Sequence, residues 1–335
     1  MSSSLSCSDM DRKAILDYLG DDWTLTMSMI RSSLDSDIDL LNHINSYMLE
    51  HGGKQLRPLL SLLMAKACGD GRLTADSARY AAATELLHNA TLLHDDVADG
   101  SKTRRGAPTV ASFLGASNSV LVGDYWLVKA VDLVLGADRS VMEILHLFAG
   151  TLSLLAEGEM LQLQKAASAD TTEDDYLRII RSKTGTLFET ACISAVISVE
   201  ASAEARQVAG EYARNLGYAF QIKDDILDYT GGDIGKPVRV DIRERKITLP
   251  LLGAMSRVDV RRQEEVREMV RGVADHPENA GLLMGFVMEN DGIAYAQDRL
   301  KDYSRKAVQA LSALPDSPAV DYLVELANFT ADRDR

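Results

Sequence analysis

Proline is scarce in this chain of 335 residues, 7 in all, and few runs of β-branched and aromatic residues read as strands. Ala, Leu, Glu, Arg, Met and Asp dominate the long stretches instead. That excludes a sheet-built core and favours an all-helical protein. Basic charge is also short: 36 Lys and Arg against 50 Asp and Glu leave a formal net charge of -14. A nucleic-acid partner is therefore not expected, nor docking on an anionic membrane by charge alone. Cysteine is limited to Cys7, Cys68 and Cys192, an odd number without metal-ligand spacing. A reduced, cytoplasmic setting follows, with Cys68 and Cys192 as small buried hydrophobes.

The N-terminal "MSSSLSCSDMDRKAILDYLG" lacks the basic start and continuous apolar core of a signal peptide. No uninterrupted apolar stretch reaches the about 18 residues of a membrane span, so the chain is expected to be soluble. There is no fixed-period repeat, no low-complexity tract and no convincing linker. One domain over residues 1–335 is expected, with roughly the first ten residues frayed.

What the chain has is helical pattern. "IDLLNHINSYMLEHGGK" ends a helix with Gly52 and Gly53, which suit a C-terminal cap. The next helix carries Pro58 in its first turn. From Ala75 to Ala98 the chain is apolar almost all round, as befits a helix inside the protein. Further helices are expected at about Ser117–Leu135, Val141–Gln164, Glu173–Ser198 and Ala203–Tyr229. "TGGDIGKPVRVDIRERK" reads as a loop, and the C-terminal part as helices broken near His276–Pro277, Asp291–Gly292 and Pro315–Pro318.

Two of these helices end in acid: "LLHDDVADGSKTRRGAPT" from Leu92 and "FQIKDDILDYTGGDIGK" from Phe220. On a helix, i and i+4 lie one above the other, so Asp95 and Asp99 point the same way, as do Asp224 and Asp228. One such cluster would ordinarily be solvated surface. Two, each closing an apolar helix with basic residues behind it, are better explained as facing one another across a cavity. Four carboxylates there would repel. Hard divalent cations with oxygen ligands, Mg²⁺ above all, remove the penalty, and Mg²⁺ held by few carboxylates takes further ligands from phosphate. Arg104 and Arg105 would then meet a diphosphate from the other side as forked donors. "HGGKQLRP" adds Lys54 and Arg57 where a glycine loop and a helix start can approach a second anion.

With these residues in place, the chain resembles the trans-prenyltransferases, the chain-elongating isoprenyl diphosphate synthases, and most closely their long-chain, polyprenyl type. The resemblance runs from "GGKQLRP" to "YLVELANFTADR", and both aspartate-rich motifs stand in the family's order. It implies an all-α, single-domain bundle of isoprenoid synthase type around a central cavity, as a homodimer. It implies an allylic diphosphate bound through Mg²⁺, about three ions per site, with Asp95, Asp99, Asp224 and Asp228 as ligands and Asp96 and Asp225 in support. Arg104, Lys183, Asp241 and Lys246 would hold this diphosphate or close a loop over it, and Lys236 matches the family's loop lysine. Isopentenyl diphosphate would meet Lys54, Arg57, His88 and Arg105. Lys183, Thr184 and Gln221 would lie along the allylic chain near the developing cation, with Gln162 close by. His88 would otherwise read as a core histidine; His94 is left as structural, and His43, His51, His146 and His276 are assigned nothing.

The implied chemistry is ionisation of the allylic diphosphate, attack by the isopentenyl double bond, and proton loss to the released diphosphate. The product would grow along the helix that precedes Asp95. Ala90 and Thr91 lie roughly 6–8 Å below the metals at 1.5 Å per residue, and both are small. Nothing bulky blocks the chain near fifteen carbons, so twenty or more are expected, as in quinone side-chain precursors, with Val134 and Leu147 near the floor. Transient membrane contact would serve release of such a product.

Alternatives are a shorter-chain geranylgeranyl or farnesyl type, a terpene cyclase, which would need neither the Lys54/Arg57 site nor a second "DDILD", and a non-catalytic subunit of a two-component synthase. The chain departs from the family pattern where Arg239 and Arg245 replace loop glycines.

Overall fold

The computed structural model describes residues 12–231 and 240–332. Two short helices, α1 (Arg12–Leu19) and α2 (Asp21–Ser33), lead into α3 (Asp39–Glu50), α4 (Leu56–Cys68) and the central α5 (Ala75–Ala98). A small antiparallel hairpin, β1 (Thr103–Arg104) and β2 (Ala107–Pro108), and α6 (Val110–Leu114) connect to α7 (Ala116–Leu135) and α8 (Val141–Ser168). Then come α9 (Glu173–Ile180), a π turn (Arg181–Gly185), α10 (Thr186–Ser198) and α11 (Ala203–Thr230). The one-turn α12 (Val240–Arg243) precedes α13 (Leu249–Met255), α14 (Val260–Arg271), α15 (Asn279–Glu289), α16 (Gly292–Leu311) and α17 (Pro318–Asp332). Among the described residues the β structure is confined to the hairpin, so the all-α expectation holds.

The central helix starts on a capping box: Thr74 accepts from the Ser77 N–H while the Ser77 hydroxyl accepts from the Thr74 N–H. From there it buries Tyr80, Leu86, Leu87, Ala90 and Leu93. One core sector joins these to Trp126, Val134, Ile144 and Phe148 of α7 and α8. A second joins α1, α4, α10, α11, α16 and α17 through residues such as Ile15, Leu63, Phe188, Tyr212 and Leu323. Cys192 is buried within this sector, as expected, whereas Cys68 is only half-buried against it, and burial pushes the Cys68 thiol up to about 11. Inert thiols follow. Cys7 lies outside the described residues.

Three local expectations need correction. The helix expected over Glu173–Ser198 is interrupted by the π turn. The loop expected after α11 contains a helical turn. Neither Gly52 nor Gly53 adopts the left-handed conformation of a cap; Gln55 does, at φ 50°.

The π turn is held by close approach rather than by propensity. A Cβ on Gly158 of α8 would sit 2.6 Å from Ser182 Cβ, and one on Gly217 of α11 would sit 2.6 Å from Gly185 Cα. Glycines on both flanking helices thus let the widened turn wedge between them. π turns inside helices frequently mark functional positions, and this one carries Lys183 and Thr184. Gly217→Ala should destabilise the protein by about 1–3 kcal/mol, read as a lower midpoint in urea, because its contact is backbone that cannot move aside. Gly150→Ala, at an exposed helical position that meets nothing within 4 Å, should raise the midpoint slightly instead.

Candidate active site

The first acidic end is built by the last turn of α5. Asp99 is the residue that closes this helix, and its N–H donates to the Asp95 carbonyl at 2.8 Å. The two carboxylates therefore keep the one-turn stacking read from the sequence. Asp96 faces inward, nearly buried, and accepts from Arg104 Nε at 2.8 Å. The hairpin makes that pair possible. Its two turn residues, Arg105 and Gly106, both have positive φ, 52° and 78°, as a tight two-residue hairpin requires. Successive arginines then diverge, Arg104 to Asp96 and Arg105 to the glycine loop. A Cβ on Gly53 would lie 2.4 Å from Arg105 Cζ, so Gly53 is a flat seat for a guanidinium.

Behind that seat lies a basic pocket. Arg57, in the first turn of α4, stacks its guanidinium 4.9 Å from the Phe188 ring centroid. Arg57 Nε, His88 Nδ1 and Glu85 Oε2 are buried without a hydrogen-bond partner. Burial lowers the Arg57 pKa to about 10; Glu85 opposes this and Arg105 adds to it. Burial, then Arg57, Arg105 and Arg104, hold His88 well below the usual histidine range. His88 is consequently neutral, a hydrogen-bonding partner and not a cation. Glu85 was not found by sequence reading. Its signal was an acid three residues before His88 on an otherwise apolar helix. Lys54 stands 5.3 Å from the Phe329 ring of α17, which brings the C-terminal helix to the edge of this pocket.

The second acidic end is the last two turns of α11. Asp225 is buried and accepts from Tyr176 Oη at 2.6 Å and Gln221 Nε2 at 2.9 Å. Gln221 Oε1 accepts from Thr184 Oγ1 at 2.8 Å. This chain of bonds fastens the π turn to the acidic helix. Asp228 Oδ2 accepts from the Asp241 N–H at 3.3 Å, which draws α12 over the same end. Lys183 Nζ lies 2.6 Å from Glu159 Oε1 and donates to Gln162 Oε1 at 3.2 Å. Tyr176 and Glu159 are further residues that the sequence reading passed over.

The two ends face common space. Burial, Glu159 and Asp99 push Asp95 up to about 6, and Lys183 opposes them. Burial and Asp228 push Asp241 up as well, and the same Lys183, together with Lys246, opposes them. Lys246 in turn is drawn up by Glu244, Asp241 and Asp99 against its own burial. One lysine answers to carboxylates from both ends, and so does the other.

With that geometry known, comparison with characterised proteins is decisive. Residues 38–282 match the polyprenyl synthetase family model. The chain belongs to that family. It is 37% identical over 326 residues to the all-trans-nonaprenyl-diphosphate synthase (geranyl-diphosphate specific) of Rhodobacter capsulatus, covering 96% of this chain and 98% of that one. It is 35% identical to the octaprenyl diphosphate synthase of Escherichia coli, covering 97% and 100%. The crystal structure of a polyprenyl synthase from Caulobacter crescentus, complexed with calcium and isoprenyl diphosphate, superposes with a TM-score of 0.88 over the whole of both chains at 32% identity. The family assignment makes this chain a prenyltransferase of the all-α isoprenoid synthase fold.

Among the described residues of this polyprenyl synthetase, no three His, Cys, Asp or Glu side chains converge to hold a metal by themselves. The donors offered are carboxylate oxygens in pairs, under-neutralised and partly buried. That set suits a hard divalent cation that completes its shell with water and phosphate. Of the residues expected to set product length, Ala90 and Val134 lie in the same buried core sector, whereas Leu147 is half-buried on α8 outside it. His94 packs against α7, its ring where a Cβ on Gly123 would fall, and bonds the Val120 carbonyl at 3.3 Å, a structural role. Arg245 adopts φ 59°, the conformation for which glycine is suited, so the backbone turn survives the arginine at the cost of some strain. Lys236 and Arg239 lie outside the described residues.

A carboxylate whose folded pKa is raised favours the folded state while protonated and loses that advantage as pH rises through the folded value. Metal-free protein should therefore lose more thermal stability between about pH 5 and pH 7.5 than the Asp95→Asn variant does. Equal slopes for the two proteins in chelator, followed by thermal unfolding, would contradict the crowding of charge described above.

Proposed function

We propose that the chain condenses isopentenyl diphosphate head-to-tail onto an allylic diphosphate, giving an all-trans polyprenyl diphosphate of twenty carbons or more, a length suited to a quinone side chain. The observation that carries this reading is that the two acidic helix ends share Lys183 and Lys246, while a separate basic pocket of Lys54, Arg57, His88 and Arg105 stands beside them. Two diphosphate sites of different construction suit two diphosphate substrates.

In this reading Asp95, Asp99, Asp224 and Asp228 hold Mg²⁺, which when bound neutralises charge on the departing diphosphate. Asp96 keeps Arg104 aimed at that diphosphate, and Asp225 keeps Gln221 and, through it, Thr184 in place. Lys183, Lys246 and Arg104 stabilise the negative charge that builds as the allylic carbon–oxygen bond breaks. Arg57 and Arg105, the latter seated on Gly53, orient isopentenyl diphosphate so that its double bond meets the allylic carbon. Neutral His88 offers a hydrogen bond without adding charge. Burial of α5 and α10 beneath the acidic ends supplies the dry surroundings in which a carbocation outlives water. Asp241, whose N–H donates to Asp228, caps the allylic end.

The whole chain is read as one domain, since one core sector joins α1 to α17. We read it also as a homodimer. Leu121, Val128 and Leu135 of α7 and Met142, Leu154, Met160 and Leu163 of α8 are exposed, from 39% to 66%. The α8 helix is long and apolar enough to cross a membrane by length and composition, with 22% of its most apolar window buried. Its Glu157 and Glu159 and its packing on α7 favour a second copy of this chain as the cover. A cytoplasmic setting suits the free thiols.

Purified chain with Mg²⁺, labelled isopentenyl diphosphate and allylic primers should yield products of twenty carbons or more. Turnover of the primer without isopentenyl diphosphate would point to a cyclase, and inactivity of the chain alone to a subunit of a two-component enzyme. Ala90→Phe or Thr91→Phe should shift the main product toward fifteen carbons; unchanged length on chromatography would refute growth along α5. Leu121→Glu with Met160→Glu should turn a dimer into a monomer on sedimentation, and a wild type already monomeric at micromolar concentration would end the dimer reading.

A further inference from the structure

Lys183 has a choice of anions. Its ammonium sits 2.6 Å from Glu159 Oε1 and 3.2 Å from Gln162 Oε1, both on α8. It also lies within electrostatic range of Asp95 on one side and Asp241 on the other. The α8 seat is built for it. Gly158, next to Glu159, lets the π turn come so close that a Cβ there would meet Ser182 Cβ at 2.6 Å and Lys183 Cγ at 3.3 Å. Glu159 and Gln162 are three residues apart and share one helix face, so the pair receives the ammonium from a single direction. The contact is partly exposed, with side-chain exposures of 27% for Lys183 and 35% for Glu159, so the ion pair can exchange.

We propose that Glu159 is a positioning residue that parks Lys183 on α8 and so keeps it off Asp95, leaving the first acidic end open to a divalent cation. This rests on the functional reading above and deepens it. Without the parking carboxylate, Lys183 is left between Asp95 and Asp241, and an ammonium paired at Asp95 competes with the cation for the same oxygens. When a diphosphate arrives it takes Lys183 over from Glu159 and holds the ammonium away from Asp95. Cation and diphosphate binding are coupled through one lysine that changes partner.

The test is a double-mutant cycle read by Mn²⁺ binding to the diphosphate-free protein, with electron paramagnetic resonance of the free ion. Glu159→Gln should weaken Mn²⁺ binding roughly three- to tenfold, the scale of a partly exposed ion pair. Glu159→Asp should restore much of it. In a Lys183→Met background Glu159→Gln should have no further effect. Unchanged Mn²⁺ affinity in the single variant would overturn the proposal. So would an equal loss in both backgrounds, which would make Glu159 a direct ligand or a plain source of field. In steady-state assays the KM for the allylic substrate should rise while that for isopentenyl diphosphate stays put; a parallel rise in both would mark a merely structural role and overturn it too. Absence of condensation in the wild type would instead refute the functional reading, and the Mn²⁺ cycle would still decide the role of Glu159.

Discussion

Everything at the top of this bundle is organised by repulsion. Asp95, Asp225, Asp228 and Asp241 are brought together partly or wholly out of water, with the exposed Asp99 one turn beyond Asp95, and the cations set among them do not cancel the charge. Asp95 and Asp241 both sit above the ordinary carboxylate range because of it. A chain does not keep such an arrangement for stability, since like charges crowded in a poorly solvated place cost free energy. It is the form a site takes when the balancing charge comes from outside, with the ligand. The neighbouring basic pocket is the converse case: Arg57, Arg105 and Arg104 crowd a neutral His88, with Glu85 beneath them, and the deficit there is of negative charge.

The helices that carry these groups are placed by ordinary forces. The α5 helix is central because nearly every face of it is apolar, and its acidic end emerges where that burial stops. The π turn is placed by shape. Gly158 and Gly217 remove the two side chains that would hold α8 and α11 away from it, and Thr184, Gln221, Asp225 and Tyr176 then lock it by hydrogen bonds. Of the glycines near the site, Gly53, Gly158 and Gly217 serve by the space they leave rather than by unusual backbone angles.

Much of this was legible beforehand, for identifiable reasons. Long helices and their breaks follow from apolar periodicity and from Pro and Gly, and the spacing of Asp95 from Asp99 needed nothing but helical geometry. The aspartates, Arg57, His88 and Lys183 could be named because motif and chemistry coincide. The π turn could not, since "RSKTG" has no composition that distinguishes it from continued α-helix; the signal resides in glycines some thirty residues away on other helices. Arg105 and Gly106 could have been read as a hairpin turn, but two-residue strands leave no alternation to detect. Glu85, Glu159 and Tyr176 escaped because each lies on a helix whose pattern explains it without them, and their partners are distant in the chain.

The neutrality of His88 bears on its whole pocket. Imidazole is the side chain whose charge ordinarily changes near pH 6.5, and a histidine in a basic pocket would normally make the charge of that pocket sensitive to modest acidification. Here the surrounding guanidinium groups and the loss of water have already removed the proton. In the ligand-free protein the imidazole is thereby held neutral, so the positive charge of the pocket rests on its guanidinium groups and Lys54.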